Sequence, residues 1–138
     1  MTHSATDAAP GLEALRPLVG KWHIEGKQLE SPLGPAAPFV AVETFEWLEG
    51  GRFLVHRLEG KLGDRPAACV EILGLNEAGE LFAQTYYDDG TTTRWEVKAD
   101  AQALVSSGSW PKSGAALRVR YTATIVDLGN TIEGKWEQ

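Results

Sequence analysis

Apolar and polar residues alternate along most of this chain, and only near its start is the rhythm different. Leu12, Leu15, Leu18 and Val19 recur at helical spacing and Gly20 follows where a helix would stop, so one short helix is expected there. Pro17 keeps it short or 3₁₀-like, because its ring removes a backbone donor. From Lys21 onward the period is two, as in a strand with one buried face.

The period-two segments run Lys21 to Gln28, Phe39 to Leu48, Arg52 to Glu59, Ala67 to Leu75, Leu81 to Tyr87, Thr91 to Lys98, Ala103 to Trp110, Ala116 to Val126 and Thr131 to Glu137. Turn-forming residues separate them, among them Asn76-Glu77-Ala78-Gly79, Asp88-Asp89-Gly90 and Glu49-Gly50-Gly51, whose adjacent glycines supply the positive φ of a tight hairpin. No helical segment is long enough to cross between parallel strands. The expected fold is therefore all-β: a single antiparallel meander β-barrel of about nine to ten strands with one short N-terminal helix, closure removing exposed edges. No repeat of fixed period points to a propeller or solenoid. A chain of 138 residues suits one domain. Residues 1–10 are expected to be a flexible tail and residues 11–138 the barrel.

Charge narrows the partners. A formal charge of -6 opposes attraction to nucleic acid or to an anionic membrane, and Arg52, Arg57, Lys61 and Arg65 are interleaved with acidic residues. The chain shows neither a secretory signal nor an apolar run of roughly 20 residues, so a cytoplasmic location without membrane contact is expected. With Cys69 the single cysteine, an internal disulfide and a thiolate metal cluster are both ruled out. In the apolar run Ala67 to Val70 its thiol is either a small hydrophobe or, given a base beside it, a nucleophile.

The opening Leu12-Glu13-Ala14-Leu15-Arg16-Pro17-Leu18-Val19-Gly20-Lys21-Trp22, a short helix running into Gly-x-Trp, resembles the start of calycin barrels such as lipocalins, fatty-acid-binding proteins and nitrobindin-like proteins. Gly20 would let the chain turn into the strand and Trp22 would plug one end of the barrel. Phe45-Glu46-Trp47-Leu48-Glu49-Gly50-Gly51-Arg52-Phe53-Leu54-Val55, with Ile72-Leu73-Gly74-Leu75-Asn76, resembles an uncharacterised bacterial group, DUF1579 or lipocalin-like. That resemblance implies a calycin fold and leaves activity open. In calycins an arginine stacks on the plug tryptophan, a role that falls to Arg118 or Arg120 here, with an anion site as the other reading. Nitrobindin-like barrels hold haem through a histidine far along the chain, and here the last histidine is His56, so no haem and no other cofactor is expected.

Parity nominates the lumen. One face of the second strand carries Phe39, Ala41, Glu43, Phe45 and Trp47. An internal Glu43 would be an acid, a base or a ligand anchor; near the mouth it would pair with an arginine such as Arg57. His56 shares parity with Leu54 and Leu58, and is either an anchor or proton carrier or a core histidine satisfied by a neighbour. Gln84, Tyr86 and Trp95 complete the lumen candidates, and the aromatics either line a pocket or fill the barrel. No histidine pair has metal-ligand spacing. The expected function is binding of a small apolar or aromatic molecule in the lumen. Its alternatives are an enzyme using Glu43, His56 or Tyr86 as acid or base, and an interaction module with a solid core. Because strand rhythm persists to Glu137, either the last strand closes on the first or an edge stays open. An open edge leads to the expectation of a two-fold homodimer, with Trp110 or Trp136 at the contact.

Overall fold

The computed structural model describes residues 10–28, 35–100, 103–112, 115–126 and 131–137. A 3₁₀ helix, Glu13–Leu18, contains Pro17 and turns Leu15 and Leu18 inward. The left-handed φ of 135° at Gly20 then redirects the chain into the sheet.

Nine strands follow: β1 Gly20–Gln28, β2 Ala37–Trp47, β3 Phe53–Leu62, β4 Arg65–Leu75, β5 Leu81–Tyr87, β6 Thr92–Ala99, β7 Ala103–Lys112, β8 Ala115–Val126 and β9 Thr131–Glu137. Each pairs antiparallel with the next, giving one sheet in sequential order curled into a half-barrel. Gly50 and Gly51, with φ of 100° and 68°, turn β2 into β3 as their adjacency predicts. Among the described residues no ladder joins β9 to β1, so both remain edges of the sheet.

The core lies in the concave face at one end of the strands. Leu12, Leu15 and Leu18 pack there against Phe45, Leu54, Leu73, Ala83, Trp95, Val97 and Leu104. The 3₁₀ helix therefore plugs that end with apolar side chains. Trp22 belongs to the plug, since its Nε1 donates to Leu18 O at 2.8 Å and its ring packs against the core. Gly108 lets the Trp95 indole lie flat on β7, because a Cβ there would come within 3.0 Å of the ring and 2.7 Å of Arg94 O.

Candidate functional site

Register sets one polar row across this apolar concavity. Phe45 faces His56, His56 faces Glu71, Glu71 faces Thr85 and Thr85 faces Thr93, so neighbouring strands from β2 to β6 each contribute one side chain. Glu43, two residues along β2 from Phe45, is the diagonal neighbour of His56.

Hydrogen bonds join the row. Glu43 Oε2 lies 2.5 Å from His56 Nε2, and Glu71 Oε1 lies 3.2 Å from Nδ1. Thr85 donates to Glu71 Oε2 at 2.7 Å, and Trp95 Nε1 donates to Thr85 Oγ1 at 3.0 Å. Phe45 stacks on the imidazole, with centroids 4.1 Å apart and planes 3° from parallel. The side chains of Glu43 and His56 are only 10% and 12% exposed, and that of Glu71 is 20% exposed.

A ring nitrogen bearing a lone pair would repel a carboxylate oxygen, so bonds at both nitrogens require both to carry protons. Burial by itself pushes the His56 pKa down, but the hydrogen bonds and charges of Glu43 and Glu71 outweigh it and hold it at about 9. At neutral pH the unit is an imidazolium clamped between two carboxylates.

Surrounding groups respond to this charge. Burial, then the charges of Glu71, Glu43 and Asp88, pushes the Cys69 thiol up to about 12, so it is a neutral hydrophobe and not an activated nucleophile. Tyr121 of β8, opposite buried Ser106 on β7, is raised by burial first and then by the charges of Glu43 and Glu71. Gly134 makes room for its hydroxyl, against which a Cβ would collide. Tyr87 is raised chiefly by burial, and weak hydrogen bonding toward the Thr93 and Thr85 hydroxyls pulls it partly back. Thr93 Oγ1 is buried and, apart from that weak interaction with Tyr87, makes no hydrogen bond. Among the described residues no group of three or more His, Cys, Asp or Glu is arranged to hold a metal ion.

The parity of β2 holds: Glu43, Phe45 and Trp47 face inward, as do His56 and Trp95. Glu43 is bonded to His56 and not to Arg57, which is exposed on the convex face. Gln84 and Tyr86 are corrections, because the buried parity of β5 is Ala83 and Thr85; Tyr86 is 45% exposed on the opposite face. Adjacent tyrosines offered two registers, and Tyr87 took the inner one. Arg120 is likewise exposed, on the parity opposite Tyr121. Arg118 pairs with Ser109, and its side chain lies outside the described residues, as do those of Trp110 and Trp136.

Glu71, Thr85 and Tyr121 escaped the sequence reading. A signal for Glu71 was present: it is the lone carboxylate at the parity of Cys69, Leu73 and Leu75 in an otherwise apolar strand. An open depression of about 200 Å³ lies at β3, β4 and β5, lined by residues including Arg57, Cys69 and Tyr86 but by none of Glu43, His56 and Glu71.

Fold and site together define an antiparallel half-barrel with a buried carboxylate–imidazolium–carboxylate unit in its concave face. Residues 10–133 match the family model of DUF1579, a protein family of unknown function. The chain belongs to that family. No curated protein matches it, and no described helix is long and apolar enough to cross a membrane.

Proposed function

We propose that the concave face binds a small molecule with an apolar or aromatic body, held in orientation by the polar row. The observation that carries this reading is Thr93. Its hydroxyl is buried without a regular hydrogen bond, next in register to Thr85 in the polar row. Burying a hydroxyl without a partner costs about 1–3 kcal/mol, and buried ion pairs are often replaceable by apolar residues at no loss of stability. A concavity serving only as a core has no use for either. A few polar groups converging in an apolar concave surface are the ordinary make-up of a ligand site, and a calycin-like interior, to which the opening Gly20-Lys21-Trp22 is similar, is used in this way.

The enzyme reading is less well supported. With both nitrogens of His56 donating to carboxylates, the ring offers no lone pair to accept a proton at neutral pH. Titration with the neutral dye Nile red tests the proposal against a solid-core module. The expected result is saturable dye emission with matching quenching of tryptophan fluorescence. Folded protein that gives neither replaces the ligand site with a packed core.

A further inference from the structure

We propose that the ligand of this concave face is an organic cation, an ammonium group carried on an aromatic or apolar body, with its charge lodged beside Glu43. The inference rests on the ligand-binding reading and names the ligand's class.

The first ground is unspent acceptor capacity. Glu43 uses Oε2 for His56, and among the described residues no hydrogen bond reaches its Oε1. Both oxygens of Glu71 are engaged, one by His56 and one by Thr85. Glu43 is therefore the carboxylate with an oxygen to offer, and a carboxylate only accepts.

The second ground is charge. Two carboxylates face one imidazolium, leaving the unit with an excess negative charge in a poorly solvated concavity, where such charge acts strongly. The described charged strand residues around it, Lys21, Glu25, Arg57, Glu59, Arg94, Glu96 and Arg120, take the convex parity, and Arg65 is exposed at the start of β4. None of these cations enters the site. The charges of both carboxylates also raise the Cys69 thiol and the Tyr121 hydroxyl.

The third ground is the wall. Register places Trp22 directly opposite Glu43 on the same face, with Phe45 two residues along β2. Aromatic faces attract cations, most strongly when water is excluded, whereas they offer an anion nothing comparable. A carboxylate ligand would have to displace His56 from its two partners.

Three probes of nearly equal shape separate the choices: phenethylamine, 2-phenylethanol and 3-phenylpropionate, each titrated into the full chain at pH 7 and followed by tryptophan emission, with Nile red in parallel. The amine is expected to bind at least tenfold more tightly than the alcohol, to weaken with salt, and to leave the carboxylate without saturable binding. Glu43→Gln is expected to bring the amine down to the level of the alcohol. If that variant fails to fold, the ranking on the wild-type protein decides. Alcohol or carboxylate binding as tight as the amine, or Nile red alone binding, overturns the cation assignment while the ligand site stands. No saturation by any of the four removes the site itself.

Discussion

His56 is held protonated well above its ordinary range, and it sets the pH behaviour of the fold near neutrality. An ordinary histidine titrates at 6.5 and this one at about 9, so its contribution to stability is complete below pH 6.5 and is lost as pH rises through 9. Between pH 6.5 and 8.5 the unfolded chain has released the proton that the folded chain keeps. Unfolding free energy should therefore fall by roughly 2–3 kcal/mol over that window in urea titrations. His56→Gln should flatten the slope; a variant with the wild-type slope would contradict the assignment. Thr93 makes the opposite prediction. Removing a buried orphan hydroxyl with the isosteric Thr93→Val should raise stability by ~1 kcal/mol. A loss would mean that the hydroxyl has a structural partner.

At the scale of elements, strand order was legible, and the boundaries to within three residues, because one face of each strand is apolar and Gly-containing turns punctuate them. Leu81 to Tyr87 and Thr131 to Glu137 were read with the ends they have. Parity failed where the pattern was symmetric. Tyr86 and Tyr87 are interchangeable by composition, and only the buried run Ala83, Thr85 decides between them. The plug role offered to Arg118 or Arg120 came from a resemblance; the side chain of Arg118 lies outside the described residues, and at Arg120 strand parity points to the other face. The Glu43–His56–Glu71 unit was half visible: parity placed Glu43 and His56 inside, but the partner on β4 depends on a register that no single strand encodes. The plug helix was read correctly and carries its own test. Leu15 has no exposed surface, so Leu15→Ala should cost about 2–5 kcal/mol in chemical denaturation. A cost below 1 kcal/mol would mean that the helix does not close the core.

At the scale of the whole molecule, the edges that no described strand pairs give the expected self-association a geometry. If β1 pairs with its own copy about a two-fold axis through His23, Lys21 faces the copy's Glu25 and Trp22 faces its Ile24, oppositely charged and apolar pairs respectively. Sedimentation at micromolar concentration should then show a dimer that Lys21→Glu dissociates, because like charges would meet twice. A monomeric wild-type protein would contradict this arrangement. The central claim, a ligand site in the concave face, is tested most directly by mapping amide chemical shifts during a titration with phenethylamine. The account predicts saturable shifts concentrated at Trp22, Glu43, Phe45, His56 and Glu71. Shifts confined to convex residues such as Tyr86 and Arg94, or no shifts at saturating probe, would contradict it.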